Sequence, residues 1–115
     1  MDPEIQKSMG QMRMFRQQQA NCAAKIQALK QTQKRVELTN KEISSLAPET
    51  ALYASVGRCF IFKSRSDIDE GMATQQKNIA EQIEKTEEQK TVLEKKEKEM
   101  KETVQELMKN KQVAN

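Results

Sequence analysis

The chain has 115 residues, of which 36% are apolar, 3% aromatic and 32% charged, and it contains no histidine and no tryptophan. A globular core needs large apolar side chains, so this composition excludes a β-sandwich or an α/β enzyme and favours long helices. The absence of histidine removes the commonest general base and metal ligand. The sequence also has no nucleotide-binding loop, no metal-ligand cluster and no nucleophile beside a base. We therefore expect no enzyme activity, no metal and no cofactor.

Charge is divided unevenly along the chain, although the formal net charge is only +3. Residues 1–47 carry eight basic and four acidic groups (+4), residues 48–66 carry three and one (+2), and residues 67–115 carry nine and twelve (−3). Two long segments of opposite sign suit two helices packed side by side. The total is too small to indicate binding to DNA or RNA, so we expect no nucleic-acid partner.

The cysteines and the first residues bear on where the protein works. Cys22 and Cys59 are typical of free thiols in a reducing compartment, and the simplest role for each is that of a small apolar side chain. Met1-Asp2-Pro3-Glu4 does not resemble the start of a signal peptide, and the longest apolar run, Cys59-Phe60-Ile61-Phe62, is far too short to span a membrane. We expect a soluble cytoplasmic protein, with the nucleus as a second location and no membrane partner.

Residues 2–47 have the pattern of a coiled-coil helix. Asp2 is placed to cap the helix and Pro3 to occupy its first position, and Pro48 disfavours helical geometry at Ala47. Thr39 and Glu42 also fit a capping box, which leaves open a kink or a restart of the helix. Apolar and polar residues spaced alternately three and four apart form a seam. The seam residues are Met12, Phe15, Gln19, Cys22, Ile26, Leu29, Gln33, Val36, Asn40 and Ile43.

Residues 67–113 repeat this pattern. Ser66 followed by Asp69 is a plausible N-cap pair, and Asp67 adds negative charge to the first turn. The spacing alternates between four and three without interruption, which predicts a second coiled-coil helix. Its seam residues are Met72, Gln76, Ile79, Ile83, Thr86, Lys90, Leu93, Glu97, Met100, Val104 and Leu107.

The segment 48–66 between the helices contains three of the four aromatic residues and the only β-like pattern. It predicts strands near 52–56 and 59–63, joined around Gly57. Phe60 and Phe62 fall on one face of the second strand, and both of its faces are largely apolar. Because a lone two-stranded hairpin is marginal in water, we expect these strands to join an intersubunit sheet.

These elements predict an all-α-dominated fold, an antiparallel coiled coil of two helices joined by a single β-hairpin. Folding about Gly57 places residue n beside roughly residue 115−n, which puts Gln19 near Glu97 and Met12 near Val104. The N- and C-termini then meet at one apolar tip.

Two long helices joined by one hairpin resemble the β-type subunits of the prefoldin family. The likeness at residue level lies between residues 38 and 72, where Tyr53, Val56-Gly57-Arg58 and Phe60-Ile61 are its most specific part. Cys59 departs from the pattern, since the family more usually has a larger apolar residue such as Met there. The family's α-type subunits carry two hairpins, and the segment 48–66 has room for one. On this resemblance, residues 1–115 form a single prefoldin-like domain.

The resemblance implies a function as well as a fold. It implies a hetero-hexamer of two α-type and four β-type subunits, whose hairpins build a double β-barrel from which six coiled coils hang. It implies capture of unfolded actin and tubulin without ATP, and their delivery to the cytosolic group II chaperonin. The residues that match the assembly role, called here the assembly set, are Leu52, Tyr53, Val56, Gly57, Phe60, Ile61 and Phe62.

For client contact we predict the apolar residues at the tip, where methionine is suited to adapt to many apolar shapes. Some of them lie on the seam, and packing between the helices is their alternative role. Met14 lies off the seam and Met108 beside it, so these two carry the prediction best. This tip set consists of Met9, Met12, Met14, Phe15, Val104, Leu107 and Met108.

Two other functions compete with this one. A generic coiled-coil scaffold without chaperone activity would explain the helices but not the apolar hairpin between them. A nucleic-acid-binding protein would have to use the basic residues of the first helix, which are spread around it without interleaved aromatics. Those residues are Arg13, Arg16, Lys25, Lys30, Lys34 and Arg35.

Overall fold

The computed structural model describes residues 2–114, and their side chains as far as residue 111. A helix, α1 (Pro3–Ser44), is followed by two strands, β1 (Leu52–Val56) and β2 (Cys59–Lys63), and by a second helix, α2 (Arg65–Ala114). The order of two long helices around one hairpin confirms the predicted fold class. The outermost residues of the predicted domain, 1 and 115, lie outside the described residues.

Helix α1 begins as predicted and ends earlier than predicted. The Asp2 carboxylate accepts a hydrogen bond from the Glu4 N–H at 2.9 Å, so Asp2 is the N-cap and Pro3 the first helical residue. The last helical residue is Ser44, three before Ala47. There the Ser44 hydroxyl donates to a helix carbonyl, which is how serine competes with regular helix bonding. Thr39 caps nothing: its hydroxyl donates to the Arg35 carbonyl, and the helix continues without a restart.

Helix α2 begins two residues before the predicted position, and its cap is Ser64 rather than Ser66. The Ser64 hydroxyl accepts a hydrogen bond from the Asp67 N–H at 3.1 Å, and the Ile68 N–H donates to the Ser64 carbonyl. The N-cap prediction for Ser66 was therefore wrong. The physical reason is that strand β2 runs to Lys63, so the next residue is the first one free to leave the sheet and cap the helix.

The two strands pair antiparallel in the predicted register around a two-residue turn. Tyr53 lies opposite Phe62, Ser55 opposite Phe60, and Val56 opposite Cys59, which leaves Gly57 and Arg58 as the turn. Gly57 has φ of +62°, the left-handed value that the first turn residue of a type II′ hairpin requires. The sequence therefore predicted the hairpin and the reason for its glycine.

Residues pack into two units that are described separately. The terminal unit consists of Met1–Gln27 and Glu84–Asn115. Its buried residues follow the predicted seam, and burial continues toward the N-terminus through Ile5 and Ser8, two positions that the sequence analysis did not include. The buried side chains of this unit are Ile5, Ser8, Ile26, Thr86 and Val104.

The hairpin unit consists of Ala28–Ile83. Val36 and Ile79 are its buried apolar residues, and both are predicted seam positions. Asn40 was predicted on the seam and is exposed instead, because it lines an open groove of about 350 Å³ beside Met72 and Gln76. The Gln76 amide donates to the Gln33 carbonyl at 3.2 Å, while its own oxygen is buried without a hydrogen-bond partner.

No helix in the described part of the chain combines the length and apolar character needed to cross a membrane. The same residues contain no group of three or more side chains that could hold a metal ion.

Candidate functional site

The hairpin exposes its aromatic side chains. Register puts Tyr53, Phe60 and Phe62 on one face of the two-stranded sheet, where 61%, 75% and 62% of their surfaces are exposed. The Tyr53 and Phe62 rings meet edge to face, with centroids 5.9 Å apart. Three aromatic side chains left in water on one small sheet are a marked loss of burial, because each would bury 150–250 Å² in a core or an interface. This face, called here the aromatic face, is the candidate assembly surface.

The opposite face of the hairpin is aliphatic and partly covered. Leu52 and Ala54 are half-buried, whereas Val56 and Ile61 are exposed. Every member of the assembly set therefore lies on the hairpin, and the structure brings the set together. Gly57 belongs to it only as the turn residue, since it has no side chain to offer a partner.

The tip set divides into buried, half-buried and exposed members. Val104 is 6% exposed, so its side chain is part of the packing between the helices. Met14 and Met108 are 50% and 40% exposed and are the members of the set that face solvent. The remaining four are half-buried on or beside the seam, and they are Met9, Met12, Phe15 and Leu107.

A polar cluster in the terminal unit fixes the alignment of its two helices. Arg16 Nε donates to one carboxylate oxygen of Glu97, and Gln19 Nε2 donates to the other at 2.6 Å. Gln19 also reaches the Leu93 carbonyl at 3.5 Å. Hydrogen bonds from Arg16 first and Gln19 second hold the pKa of Glu97 below its ordinary value of 4.5. The predicted proximity of Gln19 and Glu97 is confirmed, and the same offset along the two helices sets Met12 level with Val104.

Sequence analysis missed Arg65, the first residue of α2. Its guanidinium donates to the backbone carbonyls of Ile43, Leu46 and Ala47, at and just beyond the end of α1. These carbonyls are among those that a helix end leaves without intrahelical partners, and the positive charge suits the negative end of the helix dipole. No local pattern signals this contact, because the donor and its acceptors are about twenty residues apart in the sequence.

The terminal unit also carries an open groove that the sequence did not predict. It has a volume of about 640 Å³ and lies over Cys22 and Leu93. Val92, off the seam, is exposed beside it. The small side chain of Cys22 at a seam position leaves this space, since a leucine or isoleucine there would fill more of it.

Comparisons with known proteins agree with the geometry of the hairpin and the helices. The family model described as Prefoldin subunit matches residues 6–111. The chain belongs to the prefoldin family. Among curated relatives, prefoldin subunit 1 of Tetraodon nigroviridis is 32% identical over 111 residues, which cover 93% of this chain and 91% of the relative. Prefoldin subunit 1 of Homo sapiens is 36% identical over 83 residues, covering 72% of this chain and 68% of the relative.

A solved structure supports the same fold. The prefoldin beta subunit from Thermococcus strain KS-1 matches with a TM-score of 0.83 at 20% sequence identity, covering 92% of this chain and 93% of that one. The resemblance to prefoldin β-type subunits, most like prefoldin subunit 1, is thus confirmed. The chain is a prefoldin chaperone subunit, and membership of this family implies assembly with other prefoldin subunits.

Proposed function

We propose that this protein is one of the four β-type subunits of a cytoplasmic hetero-hexamer that also contains two α-type subunits and acts without ATP or enzymatic chemistry. The observation that carries the proposal is the aromatic face of the hairpin. Tyr53, Phe60 and Phe62 are exposed together on a sheet of only two strands, which is marginal alone and gains both strand pairing and apolar burial from neighbouring hairpins.

The proposed activity of the hexamer is to capture unfolded chains, actin and tubulin among them, and to deliver them to the cytosolic group II chaperonin. Met14 and Met108 support client contact at the coiled-coil ends of this subunit. They are large, flexible apolar side chains, each 40% or more exposed on a helix where the seam already supplies the packing. Val104 is buried, so we assign it to packing within the subunit.

Client capture is tested with the double variant Met14→Ser and Met108→Ser, assembled with the other prefoldin subunits of the same organism. We expect the variant to enter the hexamer as well as wild type does, because both side chains lie outside the hairpin. We also expect weaker suppression of aggregation when denatured actin is diluted into the mixture. Light scattering reports aggregation, and native mass spectrometry reports the composition of the complex.

Val92→Ser is the matched control, since Val92 is also an exposed apolar residue of the terminal unit but lies outside the tip set. It should leave aggregation suppression unchanged. Equal suppression by wild type and the double variant would remove Met14 and Met108 from the client-binding surface.

A coiled-coil scaffold that bridges two proteins is the alternative function. It predicts that the full-length chain, isolated from cytosol, is found with one unrelated protein or as a homodimer. Hexamer membership predicts five other small helical polypeptides in a complex whose mass native mass spectrometry measures directly.

A further inference from the structure

The hairpin is joined to its two helices in very different ways. Between β2 and α2 there is one residue, Ser64, which also caps α2. Between α1 and β1 there are seven residues, 45–51. A single capped residue leaves little freedom in the direction of the hairpin, whereas seven residues allow many paths.

Few backbone hydrogen bonds hold this seven-residue connection. The Leu46 N–H donates to the Ile43 carbonyl at 3.1 Å, and the Thr50 N–H donates to the Ala47 carbonyl at 3.0 Å. Each of these bonds is a local turn that spans three residues. Neither bond links the connection to α2 or to the sheet.

Arg65 supplies that link. Its Nη2 donates to the Ile43 carbonyl, and its Nη1 lies 3.3 Å and 3.4 Å from the carbonyls of Leu46 and Ala47. The guanidinium is a rigid planar fork that reaches several acceptors at once, which a lysine ammonium does less well. Arg65 is half-buried and follows Ser64 directly, so it ties the end of α1 to the point where the hairpin enters α2.

We propose that Arg65 is a positioning residue for assembly. It holds the connection 45–51 against the start of α2, so that the aromatic face is presented to a neighbouring hairpin in one orientation. Binding is stronger when the binding surface is already ordered, because less conformational freedom is lost on association. This inference rests on the proposed function, namely that the hairpin joins a sheet with those of other prefoldin subunits.

A competition experiment on the full chain measures this effect. Tagged wild type and an untagged variant are mixed in equal amounts with a limiting quantity of the other prefoldin subunits, and native mass spectrometry gives the ratio of the two in the hexamer. For Arg65→Ala we expect about a tenfold disadvantage, the size expected for losing a charge-assisted hydrogen-bond group. Arg65→Lys should fall between wild type and Arg65→Ala.

Two controls separate positioning from other effects. Arg35→Ala removes an exposed arginine of α1 from the same unit and should compete equally with wild type. Ile79→Val lowers stability by trimming a buried seam residue that does not touch the connection. Circular dichroism and thermal unfolding of each free chain show whether it is folded and how much stability it has lost.

Arg65 has no positioning role if Arg65→Ala competes equally with wild type. The same conclusion follows if Ile79→Val loses as much incorporation as Arg65→Ala at an equal drop in melting temperature, because stability alone would then explain the loss. Failure of wild type itself to enter the hexamer is a different result, and it would overturn the proposed function.

Discussion

The two units of this chain use their apolar side chains in opposite ways. In the terminal unit, Ile26 and Val104 are buried between the helices, and Glu97 is held by two side chains from the facing helix. In the hairpin unit, the largest apolar residues, Phe60 and Phe62, are on the outside. The first unit satisfies most of its apolar residues internally, whereas the second is incomplete without a partner. Assembly should therefore depend on the hairpin and the stability of the free subunit on the seam.

The largest expected effect is loss of assembly in the double variant Phe60→Ser and Phe62→Ser. Full burial of one phenylalanine side chain contributes about 1.5–3 kcal/mol, so removing two from the interface should abolish incorporation into the hexamer. The thermal unfolding of the free chain should barely change, since both side chains are exposed there. Native mass spectrometry and circular dichroism measure the two quantities. Leu38→Ser, which changes an exposed leucine of the same unit, is the control and should assemble normally.

A pair of glycine substitutions in the hairpin unit should have opposite signs. Gly57→Ala places a Cβ at φ +62° and should destabilise the hairpin by about 1–2 kcal/mol. Gly71→Ala lies within α2, where a Cβ meets nothing within 4 Å, and should stabilise by about 1 kcal/mol. Urea unfolding of both variants tests this expectation. A loss of stability in Gly71→Ala would show that this position needs glycine for a reason other than space.

Gln76→Leu tests whether a polar seam residue costs stability. The Gln76 oxygen is buried without a partner, and leucine removes it while keeping a side chain of similar size. Relief of an unsatisfied buried acceptor should raise the free energy of unfolding by about 1 kcal/mol. The amide also donates to the Gln33 carbonyl, so a fall in stability would mean that this hydrogen bond outweighs the buried oxygen.

The smallest effect concerns Glu97 and pH. Its pKa is lowered in the folded chain, so its contribution to stability is complete above the unfolded value near 4.5 and is lost as the pH falls through the lower folded value. Glu97→Gln removes the titration. The difference in urea midpoint between wild type and this variant should therefore shrink between pH 7 and pH 3. Parallel profiles for the two proteins would contradict the role assigned to Arg16 and Gln19.

Sequence patterns predicted the seam well because burial in a coiled coil follows a local repeat. Every predicted seam residue of α2 is buried or half-buried, and in α1 only Asn40 is exposed. The hairpin register was equally accessible, since alternation of side chains and the position of Gly57 determine it. The helix ends were less so: Ser64 rather than Ser66 caps α2, because the pairing of Lys63 with Leu52 decides where the strand stops.

The sequence by itself determined the two helices, the hairpin, the aromatic face and the family, all of which follow from spacing along the chain. Only the tertiary structure decided which residues of the tip set face solvent, and that Arg65 holds the end of α1. Both depend on residues far apart in sequence. Met14 and Val104 are each apolar and near a seam, and only the packing of the helices leaves one exposed and the other buried. Arg65 meets its carbonyls because the whole hairpin folds back between them.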